Sequence, residues 1–377
     1  MGAWLRDHWS LFFLALVLAG MTWETRRFGG TDFAVYRCAG GNFCAGRHLY
    51  GEGFRYLPGT AALFAPFHLL RYSTAKLLWA ALSAGLLAVT AAHLHRRLRT
   101  RQPVAAALAT VALFHPIAQE LQLGQVHLFV LACAVAAFAA EDAGRPWLAG
   151  ALLAFPFSLK VAPVLLVGDA VLRRRWRVVA GFAAGMSVVL ALPVLSHGRH
   201  GFWTDHAEWL ASQSRLTTAL LDNHTNQSLF AIVHRLGAGP VLCAVAALVV
   251  TAAAVSVRDL ELRRALCLTA IPLVTPNGWV QSFVMAMPLT AILLTRPSRI
   301  AWAALTLALG TGLLAYDTLG ASGETWALKH GLLGLDLLAL FALGLWVAVA
   351  DRASSLQQPA RAETARIPRL DSSPAAR

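Results

Sequence analysis

Long apolar runs separated by short polar joints dominate this chain. Runs such as Leu77–Ala92, Val178–Leu195 and Leu332–Ala350 are continuous rather than alternating, which argues for helices and against the strands of a membrane β-barrel. Several approach the roughly 20 residues that cross a bilayer. Lipid forces each backbone polar group to find its partner within its own segment, so the pattern predicts an all-α polytopic membrane protein. Twelve spans are expected: Trp9–Trp23, Lys76–His95, Pro103–Ala118, His127–Glu141, Trp147–Leu159, Val161–Leu172, Arg177–Leu195, Pro240–Val257, Ala265–Thr275, Val280–Thr295, Arg299–Ala315 and His330–Ala350. The run Leu57–Leu70 is too short and carries Pro58 and Pro66; it is expected to lie in the interface or to re-enter.

Composition supports the class: 57% of the 377 residues are hydrophobic and 14% charged, against roughly 25% charged in soluble domains. The formal charge of +13 is not one basic patch. Arginines gather between apolar runs, at Arg96, Arg97, Arg99 and Arg101, at Arg173, Arg174, Arg175 and Arg177, at Arg258, Arg263 and Arg264, and at Arg296 and Arg299. With Leu57–Leu70 left out of the spans, every cluster falls on one side. Cytoplasmic loops retain such residues, so both termini are placed in the cytoplasm, the membrane is read as the cytoplasmic (inner) one, and no nucleic-acid partner is needed. Residues 1–350 read as one integral unit, with 351–377 as a disordered cytoplasmic tail rich in Pro, Ser, Gln and Arg.

Two places break the regularity. Trp147–Leu159 and Val161–Leu172 form a hairpin whose turn, at Lys160, must sit partway through the bilayer or in a cavity. A lysine against lipid costs about 3 kcal/mol or more, so Lys160 should face a polar cavity or an anion. Ala265–Thr275 ends in Thr275-Pro276-Asn277-Gly278-Trp279, a helix stop with an interfacial tryptophan. Cys133, Cys243 and Cys267 lie in apolar spans and read as small buried hydrophobes. Cys38 and Cys44 share the first outer loop, where a disulfide and two thiols are equally compatible with the sequence.

The polar chemistry concentrates in two outer segments, 24–75 and 196–239. In the first, Thr31 is expected to cap a helix and Asp32 to sit in its first turn, with Asp32, Tyr36 and Ala39 or Gly40 on one face. A carboxylate beside a tyrosine, near Arg26, Arg27, Arg37 and Arg55, suits a general base next to an anion site; the plainer reading is a helix-capping aspartate. The second segment groups Asp205, His206, Glu208, Asp222, Asn223 and His224, without the spacing of a metal site; no metal or cofactor is expected. Asn226-Gln227-Ser228 opens an amphipathic stretch through Leu236. Gly124-Gln125-Val126-His127 forms another outer turn, with Gln125 and His127 facing a cavity or bonding between helices.

At these residues the chain resembles a known family. Thr31-Asp32-Phe33-Ala34-Val35-Tyr36 with Ala39-Gly40, His48-Leu49-Tyr50, Phe54-Arg55-Tyr56-Leu57-Pro58 and the run Ala61–Pro66 resemble the first-loop motif of glycosyltransferase family 87. Those enzymes are multipass polyprenol-phosphate-sugar-dependent mannosyl- and arabinosyltransferases of the GT-C superfamily. Leu123–His127 resembles the family's GQxN turn and Leu159–Pro163 its LKxxP hairpin; Arg173–Arg177, Asn226–Leu229 and Pro272–Trp279 follow in order, so the likeness spans roughly residues 28–295.

The resemblance implies a GT-C-like fold with juxtamembrane helices on the first loop and an active site facing outward. Asp32 is then the base, Lys160, Arg55 and His127 the donor-phosphate contacts, and Tyr36, Tyr56, Gln125, Asn226, Gln227, Trp279 and Gln281 the remaining substrate contacts. The implied partners are a polyprenyl-phosphate sugar, most simply mannose, a glycolipid or glycan acceptor, and membrane lipids. Two departures stand out: the family's histidine pair after the tryptophan is replaced by Val280-Gln281-Ser282, and its GQxN asparagine is His127. A transporter or flippase of a lipid-linked substrate, or an inactive homologue, is the alternative.

Overall fold

The structure is a computed structural model that describes residues 15, 17–23, 25–50, 53–161 and 163–364. Among these no strand occurs; the chain folds as α1 (Thr31–Cys44), α2 (Ala61–His68), α3 (Tyr72–Leu98), α4 (Ala105–Ala112), α5 (Phe114–Leu123), α6 (His127–Asp142), α7 (Pro146–Leu159), α8 (Val164–Leu172), α9 (Trp176–Ala191), α10 (Pro193–Asp222), α11 (Leu229–Arg235), α12 (Pro240–Ser256), α13 (Leu260–Val274), α14 (Met287–Leu293), α15 (Ser298–Leu313), α16 (Tyr316–Lys329) and α17 (Leu332–Thr364). Short 3-10 turns cover Thr25–Arg27, Pro58–Thr60 and Val280–Ala286. The protein is therefore an all-α membrane protein, as the apolar pattern predicts.

The twelve expected crossings are not all realised as separate spans. Among the described residues two helices, Tyr72–Leu98 and Leu332–Ser354, are long and apolar enough to cross a membrane, and up to five spans result if each bent helix pair counts as one. Local backbone explains the difference. The run Pro103–Ala118 breaks at Leu113 into α4 and α5. Pro193 ends the run 177–195 early, and α9 meets 193–213 at 83°. Val280–Thr295 opens as a 3-10 turn before α14. Of the first expected span only residues 15 and 17–23 are described, and they are helical. The last helix runs on to Thr364, into the segment read as tail. Leu57–Leu70 is, as expected, not a span but a 3-10 turn and the short α2.

Close packing rests on small residues, as is usual where lipid supplies no hydrophobic drive between helices. α7 and α9 cross at Gly150 and Gly181, where an added Cβ would lie 2.0 Å from Val178 O and 2.3 Å from Trp147 O.

Three of the arginine clusters converge on one face through carboxylates at helix ends. Arg264 pairs with Glu141 and Asp142 at 2.7 Å each, Arg97 with Asp142 at 2.8 Å, and Arg175 with Glu141 at 3.7 Å. Arg173 and Arg263 both approach Asp169 at 3.6 Å. Segments 96–101, 173–177 and 258–264 thus lie at one end of the bundle, the arrangement the charge pattern requires. Tyr72, Lys76 and Trp79 place the start of α3, and all that packs on it, at the other end.

Candidate active site

At that second end, α1 begins from Gly30, whose φ of 63° is left-handed. Thr31 is the first helical residue and makes no capping hydrogen bond, so the expected cap is absent. The helix start is instead strapped to α3: Tyr72 Oη donates to Gly29 O at 2.5 Å and Gly30 O at 3.0 Å, and Lys76 Nζ donates to Phe28 O. Asp32 does fall in the first turn, so its carboxylate is held near the positive helix end. Phe33 is fully buried and stacks on Trp79 at 5.8 Å, while Gly40 and Gly41 let α2 approach closely: a Cβ at Gly40 would meet Phe64 C at 2.5 Å. Cys38 and Cys44 are not joined in a disulfide; both lie on α1.

A second element comes from the turn between α5 and α6, which meet at 115°. Gly124 has φ 70°, and a Cβ there would lie 2.6 Å from Phe33 Cβ. Trp79 Nε1 donates to Gly124 O at 3.0 Å and to Gln125 O at 3.3 Å. The tryptophan therefore fixes both the α1 ring stack and the Gln125 turn.

Gln125 reaches back to α1. Its Nε2 donates to Asp32 Oδ2 at 2.5 Å, and its Oε1 accepts from Tyr36 Oη at 2.9 Å. Because Tyr36 spends its single proton on Gln125, the 2.6 Å contact between the Tyr36 and Tyr56 hydroxyls has Tyr56 as donor. The chain Tyr56, Tyr36, Gln125, Asp32 thus runs in one direction and ends on the carboxylate, whose Oδ1 makes no hydrogen bond among the described residues.

Burial is the largest influence on Asp32 and raises its pKa; the Gln125 hydrogen bond and the Lys160 charge oppose that rise. Burial likewise drives Tyr36 and Tyr56 above the ordinary phenol range, so both stay protonated as donors.

Lys160 closes the site. α7 ends at Pro156-Phe157-Ser158-Leu159, and Lys160 leaves it in extended conformation, with Leu57 N donating to Ser158 O at 3.1 Å to dock the turn on the first loop. Its Nζ lies 5.5 Å from the Tyr56 ring centroid, near enough to Asp32 to act on its charge. Arg55 is half-buried, and its carbonyl is bound by Gln213 Nε2 at 2.9 Å and Trp209 Nε1 at 3.3 Å of α10. Its guanidinium is close enough to act on Lys160 and Tyr56.

His127, at the first turn of α6, gives its Nδ1–H to Glu120 Oε2 at 2.8 Å, while Leu128 N donates to Glu120 Oε1 at 3.1 Å. Glu120 is fully buried and was not singled out by sequence. It is a lone acidic residue between Gln119 and Gln122, and spacing cannot show that a reversed turn brings it to His127.

The remaining expected residues go elsewhere. Asn226 and Gln227 are 0% exposed and fully engaged with backbone. Asn226 Nδ2 donates to Leu220 O and Pro276 O, and its Oδ1 accepts from Ser228 N and Gly278 N. Gln227 Nε2 donates to His224 O and Leu328 O, and its Oε1 accepts from Gly334 N. These amides staple three segments together and have no polar atom left for substrate. Trp279 is half-buried and pairs with Asn226 in an isolated bridge; the buried Gln281 lies on the 3-10 turn 280–286, which packs on α5 and α6. Arg37 caps the end of α2 through Phe67 O and Leu70 O, and Arg26 lies 4.0 Å over Trp23, so neither serves Asp32. In the second loop, His197 pairs with Asp205 at 2.7 Å and His234 with Asp222 at 3.0 Å. Among the described residues no group of three or more His, Cys, Asp or Glu is placed to hold a metal ion.

What this end of the bundle offers is a half-buried carboxylate with one oxygen open, a nearby ammonium and guanidinium, and aligned hydroxyl and imidazole groups. That set can take a proton from a hydroxyl and hold an anion beside it. No curated protein and no solved structure matches the chain. The model of glycosyltransferase family 87 matches residues 54–276, a stretch that holds Arg55, Tyr56, Gln125, His127 and Lys160 and stops short of Asp32 on one side and Trp279 on the other. That match covers more than half of the chain, which therefore belongs to glycosyltransferase family 87.

Proposed function

We propose that the protein transfers a sugar, mannose in the simplest case, from a polyprenyl-phosphate donor to a glycolipid or glycan acceptor, with inversion, at the outward face of the cytoplasmic membrane. The observation that carries this reading is the pairing of Asp32 and Lys160 in one site, a carboxylate with an open oxygen beside a half-buried cation. The acceptor O–H gives its proton to Asp32 Oδ1 as its oxygen bonds to the anomeric carbon. The bond from that carbon to the phosphate oxygen breaks, and its electron pair leaves with polyprenyl phosphate. Lys160 and Arg55 offset the charge that grows on the departing phosphate. Both termini and the arginine face lie in the cytoplasm in this reading.

The test is release of polyprenyl phosphate from a polyprenyl-phosphate mannose by purified protein with a lipid acceptor. Asp32→Asn should abolish turnover, by about a thousandfold or more, while the protein still folds and binds donor. Full activity of Asp32→Asn at normal expression would defeat the reading. Translocation of the lipid without cleavage of the glycosyl bond would point to a flippase instead.

A further inference from the structure

Glu120 has no part in the chemistry above, yet it is a carboxylate buried to 0% side-chain exposure beside the reacting groups. Burying such a charge is costly unless its oxygens are bonded, and both are. One accepts the Leu128 backbone N–H, which lies in the first turn of α6 and has no partner within the helix. The other accepts His127 Nδ1–H. A neutral imidazole that gives its Nδ1–H to a carboxylate carries its lone pair at Nε2. His127 is itself buried, with Asp32 and Lys160 close enough to act on it, and its Nε2 makes no hydrogen bond among the described residues.

We propose that Glu120 is a positioning residue that fixes His127 in the Nδ1–H form, so that Nε2 accepts a hydrogen bond from a sugar hydroxyl beside Asp32 and Lys160. This rests on the transferase reading and sharpens it. An Nε2 lone pair repels phosphate oxygens, so phosphate falls to Lys160 and Arg55, and His127 becomes a sugar contact. An asparagine at position 127 could accept through its carbonyl with no carboxylate behind it, whereas a histidine needs one to set its tautomer. Glu120 and His127 therefore work as a pair.

Glu120→Gln separates tautomer from fold. The amide oxygen can still cap Leu128 N–H, but the NH2 then faces His127 Nδ1 and drives the ring to the Nε2–H form, a donor where an acceptor is needed. Glu120→Gln is expected to lower kcat/KM about tenfold or more with an unchanged melting temperature. In a His127→Asn background the same change is expected to cost less than about threefold, because the partner it acts through is gone. An equal loss in both backgrounds would overturn the pairing. The tautomer is read without turnover by 15N NMR of histidine-labelled protein, with the His127 signal assigned by its loss in His127→Asn. Nε2 should be unprotonated in the wild type and protonated in Glu120→Gln. A protonated wild-type Nε2 overturns the proposal whether or not the enzyme turns over, whereas a wild type with the expected tautomer and no polyprenyl phosphate release sinks the transferase reading alone.

Discussion

Gln125→Leu isolates the contact on which the basicity of Asp32 depends. The substitution leaves an apolar side chain one bond shorter and removes the Nε2 that donates to Asp32 Oδ2 at 2.5 Å, together with the Oε1 that accepts from Tyr36. A hydrogen bond to a charged group contributes about 1.5–3 kcal/mol. Asp32 is only half-buried, so water can take up part of the lost interaction and the lower end of that range applies. Tyr36 keeps its contact with Tyr56, which limits the further loss. The expected fall in kcat/KM on the acid limb is then about 10- to 30-fold. The sign with pH follows from the causes acting on the carboxylate. Burial raises the Asp32 pKa and the Gln125 bond lowers it; without that bond the pKa rises further. In the proposed reaction the deprotonated form is the base, so the acid limb of kcat/KM should move to higher pH, and the deficit should shrink as pH increases. The assay is polyprenyl phosphate release by purified protein in nanodiscs across pH 5 to 9. A loss that is uniform over that range, with the acid limb unmoved, would refute the idea that Gln125 acts through Asp32.

Two further outcomes follow from the site and its scaffold. Lys160→Ala should raise the KM for the lipid-linked donor about tenfold or more, with a smaller change in the KM of the acceptor, since a phosphate contact in a low-dielectric site is lost; titration of the donor in steady state checks it, and an unchanged donor dependence removes Lys160 from the site. Asn226→Ala should act on folding rather than on either KM. It leaves two buried N–H groups short of partners, at about 1–3 kcal/mol for each left unsatisfied, and removes the bonds to two part-buried carbonyls. Thermal melting in detergent should show the loss, and a normal melting temperature with a raised KM would return Asn226 to the substrate.

These outcomes also mark where sequence reading ends. Apolar periodicity located the helices well: the run Lys76–His95 became Tyr72–Leu98 and Trp147–Leu159 became Pro146–Leu159. It could not count crossings, because whether a break such as Leu113 or Pro193 bends a helix or ends a span depends on what packs against it. Lys160 was legible because a lysine between two short apolar runs has few affordable environments. That Asp32 opens a helix was legible from the polar turn before it, but the group that bonds its carboxylate was not. Gln125 lies 93 positions away, and nothing local says that its amide turns toward a carboxylate rather than toward a neighbouring helix. Asn226 and Gln227 illustrate the opposite failure. Two adjacent amides in a polar loop look like ligand groups, and the difference between binding a sugar and binding backbone appears only when every donor and acceptor has been assigned.

Trp79 explains why the legible and illegible parts meet in one place. It is fully buried on the longest apolar helix of the Asp32 end, and on sequence alone it is one more aromatic in a span. Its ring stacks on Phe33, the residue after Asp32, and its N–H holds both carbonyls of the turn that presents Gln125. The same turn admits no side chain at Gly124, because a Cβ there would strike Phe33. The carboxylate and the amide that orients it are thus positioned by one indole, through apolar contact on one side and hydrogen bonds on the other. The carboxylate is therefore positioned by the first turns of α3. Lys160, by contrast, arrives on a separate hairpin docked through Leu57 and Ser158, so the carboxylate and the ammonium are carried by different elements that meet at Tyr56. The Gln125 variant is therefore expected to show in the pH profile and the Lys160 variant in the KM of the donor.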